Sequence, residues 1–407
     1  MLINPNAQNP DTLDSINPGS AAQPHWRSRF TFLMASVGFA VGLGNIWKFP
    51  YVTGENGGGA FVLIYLLCVF SIGVPILMAE VLIGRRGQQS PNVSMARVAQ
   101  QEGASPRWHL LGATSMVTAF LILIIYSVIA GWVLHYLWIA GAQGFGGFSQ
   151  SHSAALFADV LASPVNMLAW TGLALAITAV IVGAGLQRGI ERAVTVLMPL
   201  LFILLVVMVI YAAVSGDFSQ ALAFLFRPDF GKLTAGTILI AVGQAFFSIG
   251  VAMAGMMTYG AYLPKQVSIG RSALMIVLAD TLVALLAGLA IFPLVFQHGI
   301  DPQGGAGLIF EALPLAFAHM PGGHLFAVVF FALLSVAAIT SMVGLLEPLV
   351  AWAEEHQGIQ RRNAAWWVCG LVLVLSLCSI LSYNHWQDFA PLAWVPGFAE
   401  KNITDLI

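Results

Sequence analysis

Nine apolar stretches, each long enough to cross a bilayer, follow one another along this chain: residues 30–50, 60–83, 110–138, 167–185, 193–215, 236–262, 271–297, 324–352 and 364–383. A hydrocarbon crossing takes roughly 20 such residues. Lipid offers no water to an unpaired peptide group, so each stretch must satisfy its own backbone as a helix. The period-two alternation that a membrane barrel requires is missing. Composition agrees, with 58% of the 407 residues hydrophobic and 8% charged, against about 25% charged in a soluble domain. A soluble or disordered chain is excluded, and an all-α integral membrane protein is predicted. A net charge of −2 leaves no basic footprint for nucleic acid. Cys68, Cys369 and Cys378 all sit within apolar runs, which excludes a secreted disulfide scaffold.

Residues 1–24 are polar, lack an apolar signal region and read as a disordered cytoplasmic tail. The apolar core runs over 25–383, and 384–407 follows as an extracellular segment. Orientation comes from Lys and Arg. With the N-terminus inside, twelve of them fall in inner segments: Arg27, Arg29, Arg85, Arg86, Arg97, Arg107, Arg188, Arg192, Lys265, Arg271, Arg361 and Arg362. Only Arg227, Lys232 and Lys401 fall outside, with Lys48 at the end of the first span. Such a bias predicts a cytoplasmic N-terminus in the plasma (inner) membrane.

Two spans are unlike simple anchors. The first carries Gly38, Gly42, Gly44 and Asn45 at mid-depth, and the sixth carries Ser248, Gly250 and Gly255. Each glycine costs a helix about 1 kcal/mol, so clusters at mid-membrane favour local unwinding. Close packing through small residues is the competing explanation. Two interruptions five spans apart point to an inverted repeat with a binding site at the midplane.

The motifs His25-Trp26-Arg27-Ser28-Arg29, Val41-Gly42-Leu43-Gly44-Asn45-Ile46-Trp47-Lys48-Phe49-Pro50 and Glu55-Asn56-Gly57-Gly58-Gly59-Ala60-Phe61 resemble the neurotransmitter:sodium symporter family, nearest its bacterial amino-acid transporters. Gly243-Gln244-Ala245-Phe246-Phe247-Ser248, Thr258-Tyr259-Gly260-Ala261-Tyr262 and Ala337-Ala338-Ile339-Thr340-Ser341 extend the resemblance, which covers about residues 25–383. It implies an inverted 5+5 helix repeat with unwound helices 1 and 6, and sodium-coupled symport of an amino acid by alternating access. It also implies two sodium ions held by oxygen ligands. One site would use Ala40, Asn45, Ser248 and Asp280, the other Gly38, Val41, Ala337, Thr340 and Ser341. Many family members carry Asn where Asp280 stands and draw negative charge from chloride. Asp280 is therefore expected to make chloride unnecessary. Glu80 resembles the buried carboxylate behind the first sodium site, with a hydrogen bond to the unwound first span expected.

Gly42 stands where amine-transporting relatives place an aspartate. The resemblance then implies a substrate α-carboxylate beside the first sodium ion, held by the N–H groups of Leu43 and Gly44 and by the Tyr126 hydroxyl. Ile122, Phe247, Met253 and Ile339 would meet the side chain, an apolar lining suited to a hydrophobic L-amino acid. As gates, Phe247 resembles the lid and Lys48 half of an outer ion pair. Trp26, Arg29, Tyr262 and Glu355 resemble the inner network, where Gln23 replaces the usual arginine and Arg27 could substitute for it. Four spans after the fifth leave the second repeat one helix short, lacking helix 10 onward. Lys401 to Ile407 reads as the approach to a tenth helix, with the gate aspartate expected just past Ile407 and Asp388, in the loop after the ninth span, a candidate substitute for it.

No P-loop, His-Glu-x-x-His motif or clustered ligand set suggests an enzyme. Two other readings remain: a receptor or remnant that binds amino acid without moving it, and a proton-coupled permease of the same fold. The latter would not need both Thr340 and Ser341.

Overall fold

The computed structural model describes residues 25–299, 305–387, 389–391, 393, 394 and 402. The expected tail 1–24 with Gln23, the residue Asp388 and most of the segment 384–407 lie outside the described residues.

Among the described residues, seven helices are long and apolar enough to cross a membrane. In chain order the helices are α1 (Arg29–Ala40), α2 (Gly44–Glu55), α3 (Gly59–Gly87), α4 (Pro91–Gln101), α5 (Pro106–Ala142), α6 (Gln150–Ala162), α7 (Pro164–Gly183) and α8 (Leu186–Ser215). Then come α9 (Phe218–Phe226), α10 (Ala235–Ile249), α11 (Gly255–Ala261), α12 (Ile269–Gln297), α13 (Leu308–His319), α14 (Gly323–Gln357) and α15 (Arg361–Ser382). The seven spanning helices are α3, α5, α7, α8, α12, α14 and α15.

The first and sixth apolar stretches are each divided. α1 and α2 form one span bent by 49° at residues 41–43. α10 and α11 are separated by residues 250–254. Helices α4, α6, α9 and α13 arise in segments read from sequence only as connections. Their starts follow ordinary capping chemistry. Pro91 opens α4 with no N–H to waste, and the side chains of Ser149 and Asp217 accept from exposed N–H groups of α6 and α9.

Half-helix α1 is nucleated by a capping box in which Ser28 and Thr31 satisfy each other's backbone. Thr234 and Thr237 do the same for α10. The two divided spans therefore begin as well-specified helices and lose their geometry only at mid-depth. α14 is the most enclosed spanning helix, with 72% of its apolar window buried, whereas α8 has 28% and turns most of its surface to lipid. α14 packs against α5 and α1, so the breaks in the first and sixth spans face a rigid wall.

Candidate functional site

At the first break, Val41 leaves the helical region with φ −73° and ψ 100°, and the carbonyls at the end of α1 lose their helical partners. The Ser341 hydroxyl of α14 donates toward them, 3.1 Å from Phe39 O, 3.4 Å from Gly38 O and 3.5 Å from Val41 O. Thr340, one residue earlier, donates to Ala337 O at 3.1 Å and Val336 O at 3.0 Å. Gly38, Val41, Ala337, Thr340 and Ser341 thus share one junction between α1 and α14.

A second oxygen cluster lies across the break. Asn45 Nδ2 donates to Asp280 Oδ1 at 2.8 Å, to Asp280 O at 3.1 Å and to Ser248 Oγ at 3.1 Å. Ser248 Oγ donates to Asp280 Oδ2 at 2.6 Å. Asn45 and Asp280 are wholly buried and Ser248 nearly so. Tyr65 of α3, absent from the sequence reading, places its hydroxyl 3.2 Å from Ser248 Oγ. Gln244 ties the two broken spans together by donating to Gly44 O at 3.1 Å. Carboxylate, hydroxyl and carbonyl oxygens packed this way, beside an amide whose Oδ1 accepts from Gly42 N–H, are a donor set suited to a hard cation.

Between the clusters is a cavity of about 20 Å³, lined by Phe39, Ala40, Gly42, Gly44, Ile122, Tyr126, Phe247, Gly250, Met253, Ser341 and Leu345. Ile339 is buried but is not on this wall. The helical turn explains it. Two residues rotate an α-helix by about 200°, so Ile339 faces away from the side that Ser341 presents, while Leu345, four residues after Ser341, shares that side. Leu43 N–H is not free for a ligand either, because it donates to the Tyr126 hydroxyl at 2.9 Å. Gly42 is required for space: a Cβ there would overlap Ser341 Oγ and Tyr126 Oη.

Phe247 separates this cavity from a larger one of about 200 Å³, bounded by Leu43, Gly44, Trp47, Lys48, Tyr51, Tyr126, Ile129 and Phe247. Lys48 Nζ stands 4.2 Å from the centre of the Phe247 ring. The ammonium thus faces an aromatic π surface.

Glu80 departs from expectation. Its Oε1 accepts from Ala252 N–H at 2.6 Å, in the break of the sixth span, not the first. Ala252 has φ 62°, which turns its N–H out of any helical bond.

The opposite end of the bundle is closed. Trp26 is buried, donates from Nε1 to Tyr259 O at 2.9 Å and from its backbone to Tyr262 O at 3.1 Å. The Tyr262 hydroxyl donates to Glu347 Oε1 at 2.9 Å, and Glu347 forms an ion pair with Arg361. Arg361 also donates to Val182 O. Of the four residues expected here, Trp26 and Tyr262 meet, Glu355 lies near enough to act electrostatically on Tyr262, and Arg29 turns to α12 instead. Arg29 opens α1 on the side facing α12 and donates to Met275 Sδ at 3.2 Å. Glu355 accepts from the Ser90 N–H at the start of α4. Arg27 binds Glu191 through its backbone at 2.8 Å and its side chain at 3.6 Å. Glu347 was the signal to find, an acid within an apolar span that needs a cation nearby.

Residues 23–144 and 161–387 match the sodium:neurotransmitter symporter family. YhdH of Bacillus subtilis, an uncharacterized sodium-dependent transporter, is 40% identical over 363 residues, covering 89% of this chain and 80% of its own length. An uncharacterized sodium-dependent transporter of Haemophilus influenzae is 34% identical over 370 residues, covering 89% and 81%. The crystal structure of MhsT in complex with L-phenylalanine matches with a TM-score of 0.85 at 39% identity, over 94% of this chain and 85% of that one.

Proposed function

The chain belongs to the sodium:neurotransmitter symporter family, and from this premise we propose that it couples entry of two sodium ions to uptake of one hydrophobic L-amino acid by alternating access. Membership makes it an integral membrane, sodium-dependent transporter and not an enzyme. The finer reading rests on one observation: two separate oxygen clusters flank one apolar cavity where the broken spans face each other.

In this reading Asp280, Asn45, Ser248 and the Ala40 carbonyl hold the first sodium ion, beside the substrate carboxylate. Gly38, Val41, Ala337, Thr340 and Ser341 hold the second. Bound L-phenylalanine in the MhsT structure favours an apolar amino acid, as does a wall of Phe39, Ile122, Phe247, Met253 and Leu345. The cavity of about 20 Å³ has room for about one water-sized sphere. Substrate entry therefore requires Phe247 to lift into the vestibule above it. The carboxylate of Asp280 supplies the negative charge that makes chloride dispensable. The inverted repeat and a cytoplasmic N-terminus belong to the same proposal. Two cations moving inward with a zwitterion gain about 4.6 kcal/mol per 100 mV, roughly a thousandfold accumulation before the sodium gradient is counted.

Reconstitution in liposomes tests this. Labelled leucine or phenylalanine should accumulate only with an inward sodium gradient, and equally when gluconate replaces chloride. Sodium-dependent binding without accumulation would select the non-transporting reading. Accumulation driven by a proton gradient alone would select the permease.

A further inference from the structure

The closed end of the bundle carries a cationic pair that the inner network does not use. Arg29, at the first position of α1, reaches across to α12, and its one side-chain contact there is the Met275 thioether, a weak acceptor. Its Nε is buried without a hydrogen-bond partner. Arg271 lies four residues before Met275, hence on the same face of α12 and one turn nearer its end. Neither arginine has an acidic partner among the described residues. Below them Leu274, Met275, Leu278 and Leu282 form an exposed apolar stripe along α12, 45% to 52% accessible, and Phe30 is exposed beside Arg29. Two cations at the head of an apolar stripe, with an orphaned guanidinium N–H between two spans, match an anionic headgroup above its acyl chains.

We propose that Arg29 and Arg271 clamp the phosphate of an anionic phospholipid in the groove between α1 and α12, with its acyl chains along Leu274, Leu278 and Leu282. A phosphodiester draws the Arg29 guanidinium off the thioether and satisfies Nε and one terminal nitrogen together, the bidentate geometry that arginine provides and lysine does not. The lipid then bridges one half of a divided span to a continuous helix. It reinforces the closed state that Trp26 and Tyr262 maintain.

The test uses the full chain, purified in mild detergent and stripped of lipid, with its thermal midpoint followed on addition of phosphatidylglycerol, phosphatidylcholine or inorganic phosphate. Phosphatidylglycerol should raise the midpoint while the other two leave it unchanged. Arg271→Gln, at an exposed side chain, should need about tenfold more phosphatidylglycerol for the same shift. Arg29→Gln should lose the bound lipid seen by native mass spectrometry, and Arg29→Lys should restore it only in part. Equal shifts from phosphatidylcholine, an equal shift from inorganic phosphate, or an unchanged titration in Arg271→Gln would each overturn the proposal.

Discussion

The two divided spans break differently. The first break, at residues 41–43, bares both ends of the peptide dipole: Ser341 donates to Phe39 O and Gln244 to Gly44 O beside it, while the Gly42 and Leu43 N–H groups donate to Asn45 Oδ1 and the Tyr126 hydroxyl. The second, at residues 250–254, presents an N–H, and a carboxylate receives it: Glu80 on Ala252. They also differ in how the backbone turns. No residue of the first break has positive φ, whereas Gly250, Ala252 and Ala254 in the second all do, at 67°, 62° and 62°. Glycine in the first break makes room, and in the second it permits a turn. Where carbonyls are bared the proposed sodium ligands gather, and where an N–H is turned out a side-chain oxygen anchors the turn.

The largest expected effect probes the cation side. Asp280→Ala removes the acceptor of two short bonds, from Asn45 and Ser248. Each stranded buried donor costs about 1–3 kcal/mol, so sodium-dependent amino-acid binding should fall by on the order of a hundredfold or more. Equilibrium binding of labelled substrate at varied sodium reads this directly. Unaltered sodium dependence in a folded Asp280→Ala protein would remove the Asp280, Asn45 and Ser248 cluster from cation binding.

Gly42→Ala comes next. Its methyl would meet Ser341 Oγ and Tyr126 Oη, and overpacking of this kind costs about 1–3 kcal/mol. Substrate affinity should drop by roughly 10- to 100-fold, with little change in folding yield, because φ at residue 42 is ordinary. A large loss of stability with normal affinity would mean that this glycine serves conformation after all, and the contrast between the breaks would fail.

These two variants also show what could be read in advance. Spans were legible because lipid permits little besides an apolar helix, and the glycine clusters located both breaks. Asn45, Ser248, Asp280, Thr340 and Ser341 were legible as polar groups where polarity is costly. The geometry of each break was not. Which groups the second break bares depends on the φ of Ala252 and Ala254, residues whose type favours ordinary helix. Glu80 could therefore be found as a buried carboxylate, but its partner could not be chosen. Glu347 and Arg361 escaped because Arg361 counts equally well as one more charge in an inner loop. Ile339 was misplaced because a motif specifies neighbours in sequence and not the side of α14 they occupy.

Glu80→Ala sharpens the anchored-turn side. It strands the Ala252 N–H, which should destabilise the protein by about 1–3 kcal/mol. Glu80→Gln keeps an acceptor oxygen and should recover most of that. Thermal midpoints in detergent, with and without substrate, distinguish the two. If both variants were equally impaired, the carboxylate charge and not the hydrogen bond would be what the second break needs.

The smallest effect has the opposite sign. A left-handed conformation costs an L-residue roughly 1–2 kcal/mol. Exchanging alanine for glycine gives back about 0.4–1 kcal/mol through the looser unfolded chain. The Ala252 methyl is exposed, so removing it forfeits little packing. Ala252→Gly should therefore stabilise by about 0.5–1 kcal/mol, while Ala252→Val, whose branched Cβ fits positive φ poorly, should destabilise. Glycine at position 252 also loosens the hinge, so a higher midpoint should come with unchanged or faster uptake. If Ala252→Gly lowered the midpoint, the strain assigned to this turn would be absent. The second break would then be held open by its neighbours alone, as the first one is.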